Sequence, residues 1–157
     1  MKPRLVIGLG NPLMGDDGVG CTVADRLARD PRLPEDVDVI SGETDLLCCA
    51  TDVEGRERVL VIDAVQDDAP AEPVLLFEEP FAGLEERQDN AHNLSAVQAI
   101  RLLKLVTQAR FTLLGAAISS AEMREGLSTA VGTRMPAILD RVLRELRPVG
   151  EASQPPL

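Results

Sequence analysis

A chain of 157 residues, 45% apolar and 27% charged, is long enough for one domain with a real core and too short for two of ordinary size. Its aromatics are Phe77, Phe81 and Phe111, with no Trp or Tyr, so the core is aliphatic and no stacking platform for bases is available. A formal net charge of −10 repels phosphate backbones and anionic membranes, which leaves solubility as the role of most of the charge and a metal ion or a basic peptide as compatible partners.

The three cysteines, Cys21, Cys48 and Cys49, form no spaced pair, which argues against a disulfide framework and for a reducing compartment. Cys48 and Cys49 lack the gap of a zinc knuckle and read as small core residues. No apolar run reaches membrane-spanning length. Lys2 and Arg4 before Leu5-Val6-Ile7 mimic a signal peptide only as far as Gly10-Asn11-Pro12, which ends the apolar stretch too early. A cytoplasmic protein is expected.

Residues 4–9 predict a buried strand, followed by a loop rich in Gly, Asn and Pro. From Asp17 the pattern turns helical, with Val19, Val23 and Leu27 four residues apart. Asp16 or Asp17 can accept from the free N–H groups of that helix's first turn. Two acids exceed the need of one cap, so a ligand role stays open beside the capping one. Asp30-Pro31-Arg32-Leu33-Pro34 stops the helix. A second strand is expected at Val37-Asp38-Val39-Ile40, a polar turn at Ser41-Gly42-Glu43-Thr44, and a short buried helix over 45–53.

Val59-Leu60-Val61-Ile62 is apolar and mostly β-branched on consecutive positions, as in a central parallel strand buried on both faces. Asp63 follows, and a desolvated carboxylate there needs a helix N-terminus, a basic group or a metal as partner. Val74-Leu75-Leu76-Phe77, bracketed by Pro73 and Glu78-Glu79-Pro80, predicts a strand near an edge. Residues 80–91 form a long polar connection that ends at His92, the chain's sole histidine. Asn93 reads as the N-cap of a helix bearing Leu94, Val97, Ile100, Leu103 and Val106, which would hold His92 neutral at a helix N-terminus.

Phe111–Ile118 predicts a last strand, ending in small residues. Ser128-Thr129-Ala130-Val131 opens a short helix that Pro136 restarts, with Ile138, Leu139, Val142 and Leu146 as its stripe. Alternating strands and helices give a three-layer α/β domain over residues 1–147 with a largely parallel sheet, and residues 148–157 read as a flexible tail.

Asp17, Asp63 and His92 each fall at a loop beside a strand end or helix start. If the first and third strands are neighbours, the two acids share one sheet edge. The loop of His92 could reach it, making an O,O,N ligand set for a borderline divalent metal with open positions for substrate. A nucleotide loop is disfavoured: Gly8-Leu9-Gly10-Asn11-Pro12-Leu13 lacks the third glycine of G-x-G-x-x-G, and Asp16-Asp17 would repel pyrophosphate. No G-x-S-x-G nucleophile elbow occurs, and one histidine cannot make H-E-x-x-H.

The run Gly8-Leu9-Gly10-Asn11-Pro12-Leu13-Met14-Gly15-Asp16-Asp17-Gly18-Val19-Gly20 resembles the opening signature of hydrogenase maturation endopeptidases. Val59–Val65 is similar to that family's second signature, Asn90-Ala91-His92-Asn93-Leu94-Ser95 to its third, and Gly126-Leu127-Ser128 with Val131 to a weaker C-terminal one. The resemblance covers roughly residues 4–146. It implies an α/β/α sandwich around a five-stranded, mostly parallel mixed sheet with one antiparallel strand in the edge region. It also implies a nickel-dependent, aspartic-type endopeptidase that trims the C-terminal extension of a hydrogenase large-subunit precursor, acting as a monomer. Asp17, Asp63 and His92 fall on the family's metal-binding and catalytic positions, and nickel is the implied metal, supplied by or shared with the substrate. Gly42, Glu43 and Thr44 fall where the family often has an Asp-Gly-Gly-Thr substrate-recognition turn, and Asp17 stands where Glu also occurs. A nickel-dependent docking module that binds the same precursor without cutting it would use the same ligands.

Overall fold

The computed structural model describes residues 1–67, 70–82, 95–119 and 121–148. Strands β1 (Arg4–Leu9), β2 (Val37–Glu43), β3 (Arg58–Gln66), β4 (Val74–Glu78) and β5 (Arg110–Ile118) form one sheet in the order β2-β1-β3-β5-β4. The β1–β2, β1–β3 and β3–β5 pairs are parallel, and β4 lies antiparallel on the β5 edge. The expected mixed sheet with an antiparallel edge strand is what forms.

Consecutive apolar positions in β1 and β3 supply two separate cores, because successive side chains point to opposite faces. On one face Val6, Leu60 and Ile62 meet Val19, Val23 and Leu27 of helix α1 (Val19–Leu27) and Met135, Ile138 and Val142 of helix α4 (Thr129–Glu145). On the other, Leu5, Ile7, Val59 and Val61 meet Val53 of the one-turn helix α2 (Ala50–Val53) and Val97, Ile100 and Leu103 of helix α3 (Ala96–Leu103). Covering both faces is what lets these strands be apolar throughout. Among the described residues no helix is long and apolar enough to cross a membrane.

From β1 the chain crosses to β2 on one side, then returns to β3 on the other side of β1. The two connections leave the sheet in opposite directions, so a crevice opens beyond the carboxyl ends of β1 and β3. Its depth depends on two glycines. A Cβ on Gly20 would lie 2.2 Å from the Leu9 carbonyl oxygen and 2.4 Å from that of Ile62, and a Cβ on Gly8 would lie 2.2 Å from the Gly20 oxygen. Helix α1 therefore rests backbone to backbone on β1 and β3.

Several elements depart from expectation for local reasons. Strand β2 runs through Ser41-Gly42-Glu43 instead of turning there, because the β1–β2 register shifts between Gly8 and Leu9 and the Gly10 N–H donates to the Glu43 carbonyl at 2.6 Å. Strand β3 continues past Ile62 to Gln66 because β5 offers partners from Gly115 to Ile118. Cys49 is buried as expected but Cys48 is exposed, on the outer side of the 3₁₀ turn Leu46–Cys49 with its thiol donating to Asp45. Helix α3 is capped by Ser95, not Asn93. Ser95 and Gln98 satisfy each other's backbone N–H groups in a capping box, and the helix ends before Val106, which is exposed. Helix α4 runs unbroken through Pro136, since the carbonyl that the proline leaves without a partner belongs to Gly132, and both residues face outward. His92, Asn93, Leu94, most of the 80–91 connection and the tail after Pro148 lie outside the described residues.

The two kinds of helix glycine predict opposite outcomes. Gly20→Ala forces α1 off the sheet and should lower urea-unfolding stability by about 3 kcal/mol or more. Nothing lies within 4 Å of a Cβ on Gly132, so Gly132→Ala should raise stability by about 0.5–1 kcal/mol.

Candidate active site

The loop after β1 folds back on its own strand. A Cβ on Gly10, whose φ is +138°, would lie 1.9 Å from the Asp17 carbonyl oxygen, so only glycine allows this approach. The Asp17 carboxylate then accepts from the Asn11 N–H at 2.9 Å, and the Asn11 side chain accepts from the Leu13 N–H at 3.0 Å. These bonds fix Asp17 at the carboxyl end of β1, within the 3₁₀ turn Gly15–Gly18 that leads into α1.

Asp63 stands in β3 opposite Gly115 of β5, past the last residue of β3 that pairs with β1. It is half-buried, and its carboxylate accepts from the adjacent Ala64 N–H at 2.8 Å. Burial pushes its pKa up to about 6; the Ala64 bond pulls the other way, and the negative charge of Asp17 adds to the rise. Strands β1 and β3 are neighbours, as the sequence anticipates, and both acids lie toward the carboxyl side of that pair.

Asp16 does something the sequence does not announce. It is 8% exposed and caps no turn of its own helix, whose N-cap Gly18 has no side-chain bond. Its two oxygens instead accept from the N–H and the hydroxyl of Ser128, both at 2.7 Å. Ser128 in turn caps α4 by accepting from the Val131 N–H at 3.3 Å. The expected capping acid thus serves the last helix rather than the first, and its charge suits that helix's positive end. Periodicity finds Ser128 as a helix start. Nothing local in the sequence signals its partner, since the bond spans 112 positions.

Gly42, Glu43 and Thr44 close the carboxyl end of β2, beside the β1 loop, with Glu43 and Thr44 exposed. His92 lies outside the described residues. Among those described, no group of three or more His, Cys, Asp and Glu forms a metal cluster, so the described part of the site is the acid pair. Cys21 is buried nearby with its thiol donating to the Gly8 and Gly10 carbonyls, and burial pushes its pKa up. Burial likewise holds Cys49 at about 11. Both thiols stay protonated near neutral pH and make poor nucleophiles. A cavity of about 120 Å³ at the opposite end of the sheet is lined by Arg4, Arg58, Arg110, Glu78 and Glu145, with neither site acid in it.

Carboxylates at the switch point of an α/β/α sandwich can orient a water and take its proton. Comparison with known proteins names the class. The family model for hydrogenase maturation proteases matches residues 21–145, and the chain belongs to that family, whose members are peptide hydrolases. It is similar to the hydrogenase 2 maturation protease of Escherichia coli, with 26% identity over 155 residues, covering 96% of this chain and 94% of the relative. Its fold superposes on a hydrogenase-maturating endopeptidase from E. coli with TM-score 0.79 at 25% identity, covering 96% of this chain and 94% of the other. It also superposes on a hydrogenase 2 maturation peptidase from a Thaumarchaeota archaeon with TM-score 0.69 at 32% identity, over 92% and 98% of the two chains. Membership decides between the protease and the docking module in favour of the protease.

The environment of Asp63 has a measurable cost. Its folded pKa of about 6 lies above the ordinary aspartate value of 3.8, so the folded chain loses stability as pH rises from about 4 through 6 and the buried carboxyl ionises. In metal-free protein, Asp63→Asn should raise Tm by about 2–6 °C at pH 7.5 and by under about 1 °C at pH 4, read by thermal melts.

Proposed function

We propose that this chain removes a C-terminal extension from the large-subunit precursor of a nickel-containing hydrogenase, and that Asp17, Asp63 and His92 meet the nickel that the precursor carries. The reading is supported by the placement of Asp17 and Asp63 toward the carboxyl side of the paired parallel strands β1 and β3, in a chain of the hydrogenase maturation protease family. Two like charges share a partly desolvated crevice with no cationic side chain bonded to either among the described residues. A divalent cation presented by the substrate is the partner that such a pair lacks, and two oxygens with one imidazole suit a borderline metal.

The chain's own groups then have distinct tasks. Asp17 is held by the Asn11 N–H and Asp63 by the Ala64 N–H, so both carboxylates are oriented before substrate arrives. One of them accepts the proton of the attacking water. Nickel, when present with the precursor, supplies Lewis-acid polarisation of the scissile carbonyl or of that water. The exposed ends of Glu43 and Thr44, with Gly42, border the crevice and touch the precursor beside the cut. Three free cysteines and a net charge of −10 support a monomer working in the cytoplasm.

Mass spectrometry of the large subunit tests this reading. Incubation with nickel-loaded precursor should release a short C-terminal peptide, and nickel-free precursor should stay intact. Equal cutting of both forms would remove nickel from recognition, and cutting of neither would point to a different precursor. His92→Ala and Asp17→Asn should each slow processing by about 100-fold or more while Tm moves by less than about 2 °C. Full activity in either variant takes that residue out of the site.

A further inference from the structure

Six large apolar side chains stand exposed among the described residues: Met1, Leu13, Leu102, Leu105, Val106 and Met123. Met1 is terminal. Leu102, Leu105 and Val106 cluster where α3 runs out toward the start of β5, at the end of the sheet away from Asp17 and Asp63. Leu13 and Met123 are different. They are 68% and 86% exposed, they come from loops far apart in sequence, and both loops lie at the acid pair.

A short parallel bridge joins those loops. The Arg124 N–H donates to the Leu13 carbonyl at 3.2 Å, the Gly15 N–H donates to the Arg124 carbonyl at 2.9 Å, and Met14 pairs with Arg124. Leu13 and Met123 each precede a bridging residue, so the bridge brings their two positions side by side, and both side chains are exposed there. The bridge hangs on the same frame as the acids. The Leu13 N–H is held by Asn11, whose own N–H is held by Asp17. From Arg124 the chain reaches Ser128, which holds Asp16. Folding buries neither side chain, and a polar residue would satisfy both loops equally well. Scattered exposed apolar residues need no explanation, but two from separate loops in register on the frame of a candidate active site do.

We propose that Leu13 and Met123 form an apolar grip that holds an apolar side chain of the substrate peptide next to the bond that is cut. The inference rests on the reading that Asp17 and Asp63 cleave a hydrogenase large-subunit precursor, and it adds a chemical requirement on that precursor. The grip is continuous with the site through the Asn11–Asp17 bond, so a peptide lying across the crevice reaches both. Burial of the two side chains occurs only when substrate is bound, so the grip lowers KM and leaves the chemical step alone.

The test uses full-length protein and intact nickel-loaded precursor. Leu13→Ser and Met123→Ser should each raise KM about 10-fold, and the double variant about 100-fold, with kcat within about 3-fold of the parent. Their melting temperatures should match the parent's, Leu13→Met should restore the parent's KM, and Leu105→Ser should leave every constant unchanged. An unchanged KM in the double variant, an equal rise in Leu105→Ser, or a fall in kcat at constant KM would each overturn the grip while leaving the protease reading in place. A parent chain that neither binds nor cuts any such precursor overturns that reading and the grip with it.

Discussion

The approach of α1 to the sheet, backbone against backbone at Gly8 and Gly20, is the constraint on which the rest of the molecule depends. Without it the helix would ride higher, as it does when side chains separate a helix from a sheet. The loop that joins β1 to the helix could not then fold back so that the Asp17 carbonyl lies against Gly10. The Asn11 N–H would no longer meet the Asp17 carboxylate. The glycines of the opening run thus act through contact distance. They bring a carboxylate down to the level of the strand ends, where a fold of similar topology that binds nucleotides would bring phosphate.

Charge is sorted along the strands as well. Arg4, Arg58 and Arg110 begin β1, β3 and β5 in register, while Asp17 and Asp63 stand at the opposite ends of β1 and β3. Arg4 is bound to Asp36 at 2.6 Å, and the arginine end is a place of ion pairs and structure. At the acid end Asp17 and Asp63 are bonded to backbone N–H groups instead of cations among the described residues, and Asp63 is held partly against its own ionisation. Folding tolerates this because the site is small and the rest of the sheet is apolar on both faces.

Most of the architecture was legible because strand and helix periods are local. The five strands, the edge position of β4 and the position of Asp63 toward a strand's carboxyl side all follow from runs of a few residues, whereas the antiparallel direction of the edge strand is implied only by the family resemblance. The errors came where tertiary partners extend or redirect an element. β5 lengthens β3 beyond Ile62, a register shift carries β2 through Gly42, and the outward placement of Gly132 lets α4 pass Pro136. Cys48 and Cys49 look alike in sequence and differ only in which side of a 3₁₀ turn they occupy. At the site, Asp17 was readable because it sits at a strand–loop junction and Asp63 because it follows a run of apolar residues, although β3 in fact continues past it to Gln66. The division of labour between Asp16 and Asp17 was not, because it is decided by Ser128, a residue from the other end of the chain.

That last bond bears on how the protein comes into being. It closes a span of 112 positions, far longer than any strand pairing, and its entropic cost is met only after the sheet has brought the ends together. A chain emerging from the ribosome carries both site acids early, but the frame that fixes their loop waits for α4. The loop that carries Asp16 and Asp17 therefore gains its bonds to Ser128 only when α4 docks. A chain that stops short of Ser128 lacks the two bonds that hold Asp16 and, through it, the turn between β1 and α1.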